Sequence, residues 1–300
     1  MRLATGELAA LATALCWTGS ATFFTFGSRR VGSAVVNRVR LVLAAVFLTS
    51  THWLIFGSPL PTAGAERWLW LGLSGIVGLA IGDAFLFQAY VWIGARLTML
   101  MMSTVPILSA LLAWIALGER LEAAQWLGIA LTVLGLAWVV GRPEAGPDGS
   151  EPKPDYRRGL IYGLGAAGGQ GLGMILAKQG LADGFPPLSG NVMRLVSAAL
   201  VLWWVTLLQR QAGPTLRRLL DQPRALAPIT AGAVTGPFIG VWLSLIAIQT
   251  THIGIASTLM ALPPVFLLPV GRFVFGERIG RQAVGATLLA MAGVSMLFLA

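Results

Sequence analysis

Long apolar runs alternate with short polar breaks along the whole chain. A helix of about 20 apolar residues is long enough to cross a bilayer's hydrocarbon core. Breaking the runs at charges and at Pro/Gly clusters gives ten, near 7–26, 35–56, 68–91, 97–117, 123–140, 159–181, 190–209, 226–248, 254–275 and 281–299. Their connections are short apart from two. Residues 142–157 are polar, rich in Pro and Gly and mixed in charge, the composition of a linker between halves. Residues 210–225 carry Arg210, Arg217, Arg218 and Arg224 among leucines and predict a short amphipathic helix at the membrane surface.

The pattern is written twice. Pro106, Gly118-Glu119-Arg120-Leu121 and Gly135 return 158 residues later as Pro264, Gly276-Glu277-Arg278-Ile279 and Gly293. At the same offset Ser74, Gly78 and Gly82 map onto Gly232, Gly236 and Gly240. At a slightly smaller offset Asn37-Arg38-Val39-Arg40 matches Asn191-Val192-Met193-Arg194. The chain is a tandem duplication. Residues 1–141 and 158–300 each hold five spans, and because five is odd, equivalent helices must cross the membrane in opposite directions. Inverted repeats of this kind underlie many secondary transporters, whose solute site lies between the halves near the midplane. The expected fold is an all-α membrane protein with ten transmembrane helices arranged as two inverted five-helix repeats.

Charge sets an expected orientation. The odd-numbered loops and nearby helix ends hold thirteen Lys and Arg, against three at the termini and in the even-numbered loops. The positive-inside rule then puts the odd loops in the cytoplasm and both termini outside the inner membrane. Composition agrees with a lipid environment: 56% of residues are apolar, and only 11% are charged, where a soluble domain carries about 25%. Mean hydropathy is +0.77. The net charge of +9 is spread over single and paired arginines between apolar runs, not gathered on the basic face a nucleic-acid binder needs. Cys16 is alone inside an apolar run, which excludes a disulfide or cysteine metal framework.

The chain resembles a ten-helix member of the drug/metabolite transporter superfamily, of the EamA-like type. The resemblance is carried by the Pro106 to Gly135 run with Gly128 and its echo from Pro264 to Gly293 with Gly285, by Trp17 with Ser20, and by the Arg40/Arg194 pair. It covers nearly the whole chain and implies a carrier of amino acids, metabolites or sugar phosphates. Members of that family usually place both termini in the cytoplasm, opposite to the charge count here.

Several residues are candidates for chemistry. Asp83 lies well inside the third span, where a carboxylate is costly enough to suggest function. Phe87 and Tyr90 share its helical face. Its expected roles are proton coupling or amine binding, against a structural role as partner of an arginine or as a helix-end cap nearer the surface. Trp17, Ser20, Gln88, Gln170, Trp242 and Ser244 are polar or amphipathic groups inside spans, the mixture that lines small-molecule sites. Arg40 and Arg194 open helices, so snorkelling to headgroups is the simplest reading. Their repeated pairing with Asn37 and Asn191 adds two others: capping neighbouring helix ends, or meeting an anionic solute. Ser74/Gly78/Gly82, Gly232/Gly236/Gly240 and Gly165/Gly169/Gly173 form small-residue ladders suited to close helix contact. Pro106, Pro237, Pro264 and Pro269 interrupt helices and free carbonyls.

Nothing in the sequence suggests an enzyme. His52 and His252 lie apart, and no zinc-type His pair, nucleophile elbow or phosphate loop is present. The expected function is alternating-access transport, with export of an amino acid or related metabolite implied by the resemblance. The expected partners are the lipid bilayer, a small organic solute and protons as candidate coupling ions, with no cofactor, no metal and no nucleic acid. A monomer or weak homo-oligomer is expected. The alternative is a non-transporting membrane protein that handles lipid substrates or serves another complex; a passive channel ranks behind both.

Overall fold

The computed structural model describes residues 2–105, 107–108, 122–141, 155–250, 259–276 and 279–299. Pro106, the Gly118 to Leu121 turn, the Glu277/Arg278 pair, His252 and most of the linker 142–157 lie outside them. The regular secondary structure of the described residues is all helical. In chain order they form α1 (Arg2–Val31), α2 (Ser33–Phe56), α3 (Ala65–Gly75) and α4 (Asp83–Met102), followed by α5 (Ala123–Gly141). The second half holds α6 (Tyr156–Gly180), α7 (Pro187–Leu208), α8 (Ala212–Asp221), α9 (Leu226–Ala233), α10 (Val241–Thr250), α11 (Pro263–Val274) and α12 (Arg281–Leu299).

Among the described residues, six helical stretches are long and apolar enough to span a membrane: Thr5–Val31, Ser33–Phe56, Ala65–Met102, Tyr156–Ala177, Pro187–Leu208 and Pro223–Ser244. Ala123–Trp138 and Pro263–Val274 are shorter apolar helices. Their outer faces present large apolar side chains such as Trp53, Leu54, Leu200, Trp204 and Phe273, a surface suited to lipid rather than water.

Several expected spans differ in detail. The third, expected as one helix over 68–91, contains a seven-residue π-helical segment, Ile76–Gly82, joining α3 to α4. Its counterpart Val234–Gly240 joins α9 to α10, again 158 residues later. π-Helical turns are rare and favour functional positions, so their exact repetition is a property of the duplicated unit. The break between the third and fourth spans falls at Gly94, inside α4, where φ is 74°. The ninth span, expected from 254, has its described helix α11 starting at Pro263, with Pro263 and Pro264 in the first turn, where their missing N–H groups cost nothing.

Repeat-related helices pack antiparallel. Along α5 and α12, a Cβ on Gly135 would meet the Ala286 and Ala290 backbone, and one on Gly293 would meet Gly128 and Thr132. Thr132 Oγ1 donates to the Ala290 carbonyl at 3.2 Å, and these two positions are themselves 158 apart. Along α2 and α7, Trp203 Nε1 donates to the Arg38 carbonyl at one end, and Ser189 meets His52 at the other. These two repeat-related pairs of helices run in opposite directions.

Loop sidedness follows the same parity. At one end Arg30 donates to the Arg224 carbonyl, Arg29 lies over the Phe275 ring, and Arg158 lies over Trp92. At the other, Arg67 pairs with Asp183 and covers Phe185, while His52 takes up Ser58 and Ser189. Since the Ser58 carbonyl can only accept, His52 Nδ1 carries the proton and Nε2 accepts from the Ser189 hydroxyl. The helix expected in 210–225 is α8, with Leu216 and Leu220 exposed beside its arginines.

Candidate functional site

The two small-residue ladders meet different surfaces. Along α3, the π segment and α4, the first packs on α6. Ser74 Oγ donates to the Gly173 carbonyl at 2.5 Å, and a Cβ on Gly169 would lie 2.7 Å from Gly82 Cα. Backbone therefore touches backbone, as small residues permit. The second ladder packs on α1 against side chains: a Cβ on Gly232 would strike Phe24, one on Gly236 Ser20, and one on Gly240 Trp17. Ser20 Oγ also donates to the Gly232 carbonyl at 3.3 Å. Both contacts join the first repeat to the second.

Where these contacts meet the π segments, a buried polar cluster forms. A π turn leaves carbonyls without their usual helical donors, and buried carbonyls need partners. α2 supplies them: Asn37 Nδ2 donates to the Ala80 carbonyl at 3.3 Å and Arg40 Nη2 to the Leu79 carbonyl at 2.8 Å. Asn37 Oδ1 in turn accepts from Arg40 Nε at 3.1 Å and Nη2 at 2.9 Å. α7 does the same in the second half, where Asn191 Nδ2 donates to the Pro237 carbonyl at 3.2 Å. Pro237 is the repeat counterpart of Leu79. Asn37, Arg40 and Asn191 thus serve internal breaks in neighbouring helices. The headgroup-snorkelling reading is corrected for Arg40, which is only 2% exposed.

Asp83 completes the cluster. It forms a buried ion pair with Arg40 and accepts from Gln170 Nε2 at 2.6 Å, while Gln170 also donates to the Gly78 carbonyl at 3.3 Å. Arg40 is clamped by aromatic rings, lying 4.9 Å from the Phe87 centroid and 5.9 Å from that of Phe24. Phe24 and Phe87 meet edge to face at 5.0 Å, and Tyr90 meets Phe87 edge-on at 5.7 Å with its hydroxyl on the Met99 sulfur. Gln170 comes from the second repeat, while Asn37, Arg40, Asp83 and the rings around Arg40 come from the first, so this set ties the halves together.

The other candidates are distributed elsewhere. Trp17 and Ser20 lie on the α1 face of the second ladder. Trp242 stacks with Phe238 at 6.3 Å, and Phe238 with Phe47 at 5.9 Å. Gln88 accepts from Ser33 at 2.8 Å, away from Asp83, and Ser244 bonds within its own helix to Val241. Sequence reasoning missed Phe24 and the Leu79, Ala80 and Pro237 carbonyls; the repeated Asn/Arg pair was the signal for the carbonyls, because a buried amide needs an acceptor. Among the described residues no group of His, Cys, Asp and Glu could hold a metal ion.

Fold and site together define a two-repeat helical membrane protein with a charged cluster between its halves. The profile of the EamA-like transporter family matches residues 4–141 and 157–299, and the chain belongs to that family, within the drug/metabolite transporter superfamily. No curated protein matches at significant similarity. One solved crystal structure covers 99% of this chain and 97% of its own, with a TM-score of 0.67 at 15% identity. At that identity the likeness concerns the fold alone.

Proposed function

We propose that the protein is a ten-helix secondary transporter, with residues 1–141 and 158–300 as its halves, joined by the linker 142–157. It moves a small organic solute by alternating access, and the leading substrate is an amino acid or related metabolite leaving the cell. The observation that carries this reading is the Gln170–Asp83–Arg40 link between the repeats, set beside a π-helical break in the third span. Broken helices at a repeat interface are where carriers of this type hold their solutes. The glycine contact of the first ladder gives the halves a smooth face on which to move.

The test is counterflow in proteoliposomes preloaded with unlabelled solute, over a panel of labelled amino acids and metabolites, with and without a pH gradient. Saturable counterflow of any compound supports the carrier reading, and dependence on the gradient assigns proton coupling. Silence across the panel with folded protein favours a lipid-handling or partner-subunit role.

A further inference from the structure

The duplication places a counterpart of Asn37, Arg40 and Asp83 in the second repeat. In the first repeat Asn37, Arg40 and Asp83 form a closed set: Arg40 bonds Asn37 Oδ1, the Leu79 carbonyl and the Asp83 carboxylate. In the second repeat Asn191 and Arg194 occupy the matching positions, but the residue matching Asp83 is Val241. The set is open there. Arg194 Nε and Asn191 Oδ1 are both buried and without a hydrogen-bond partner, although they sit one turn apart on α7, the same spacing at which Arg40 and Asn37 bond.

Arg194 nevertheless points into the region of the first-repeat cluster. Its Nη2 lies 3.7 Å from where a Cβ on Gly78 would stand, and Gln170 Oε1 lies 3.8 Å from the same point. Glycine at 78 leaves that space clear. The Asp83 carboxylate is paired with Arg40, and among the described residues Arg194 has no ion-pair partner. A half-buried cation without a counter-charge is unfavourable, and the buried Arg194 Nε donor and Asn191 Oδ1 acceptor left unsatisfied add to that cost.

We infer that Arg194 receives the carboxylate of the transported solute, which takes the place that Asp83 fills beside Arg40, while Asn191 Oδ1 accepts a donor on the same solute. This rests on the carrier reading for its context and assigns the substrate class: a small organic acid bearing an N–H or O–H donor near its carboxylate, of which an α-amino acid is the simplest. Arginine suits the role because its planar donor fork matches a carboxylate.

Two measurements on the purified full-length protein test this. In detergent, thermal stability is read against a panel of amino acids, 2-hydroxy acids and their neutral amides; in proteoliposomes, the same panel competes for counterflow. Acids are expected to stabilise and compete, and their amides to do neither. Arg194→Gln is expected to weaken the acids by about tenfold to a hundredfold, the loss of one charge-assisted contact, with Arg194→Lys retaining part of the affinity. Val241→Asp supplies the missing internal carboxylate, and is expected to remove acid binding while leaving the protein folded. The inference is overturned if amides bind as well as acids, if folded Val241→Asp keeps wild-type affinity, or if no acid stabilises the protein. Acid binding without any counterflow would retain the anion site and defeat the carrier reading instead.

Discussion

Replacing Asp83 by Val copies into the first repeat what the second already has at Val241. The Arg40 and Asp83 side chains are 3% and 6% exposed, so the substitution strands a cation in the protein interior. Arg40 would keep its bonds to Asn37 Oδ1 and the Leu79 carbonyl, and Gln170 would keep only the 3.3 Å bond to Gly78. Removing one partner of a buried pair costs about 3–5 kcal/mol. Asp83→Asn keeps one acceptor oxygen, enough for Arg40, but turns an Nδ2 donor towards Gln170, so it loses the charge and one acceptor at an expected cost of about 1.5–3 kcal/mol. The double variant Arg40→Met/Asp83→Val removes the stranded charge and leaves the Leu79 carbonyl unpartnered, so its cost falls to about 1–3 kcal/mol. Reversible unfolding in mixed micelles, followed by tryptophan fluorescence and run as a double-mutant cycle, measures the coupling. The double variant should be more stable than Asp83→Val alone. Equal or additive losses, or a loss under about 1 kcal/mol for Asp83→Val, would refute the view that this pair is a buried electrostatic unit.

Three further outcomes are expected. Gly169→Ala drives a methyl to 2.7 Å from Gly82 Cα and should destabilise by about 1–3 kcal/mol, whereas Gly168→Ala, with nothing within 4 Å, should stay within about 0.5 kcal/mol in the same unfolding assay. In a Cys16→Ser background, single cysteines at Gly64 and Gln222 should label with a membrane-impermeant maleimide from opposite sides, because the loops that carry them gather at opposite ends; labelling from one side would break the parity argument. The Arg67–Asp183 pair is open to solvent, its aspartate 86% exposed, so Asp183→Asn should change stability by less than about 1 kcal/mol.

Much of this architecture is legible in one dimension. Span length, the 158-residue echo and the odd number of spans per half lead to two inverted repeats before any contact is known, because a bilayer fixes helix length and a repeated sequence must repeat its fold. The exposed arginines of the loops are equally readable, since charge in lipid is confined by its cost. What required the tertiary structure was partnership. Asp83 was visible as an expensive group, yet its partners sit 43 residues away on α2 and 87 away on α6. The π segments were hidden because Ile76–Gly82 and Val234–Gly240 read as ordinary apolar helix; a one-residue widening of the turn leaves no mark on hydropathy. Gln88 and Ser244 looked equivalent to Gln170 by composition, and only packing separated a polar group that bonds locally from one that reaches across the repeat interface. The sequence determined the class of structure through the solvent it must face, while the cluster was decided by which helices those glycines allowed to touch.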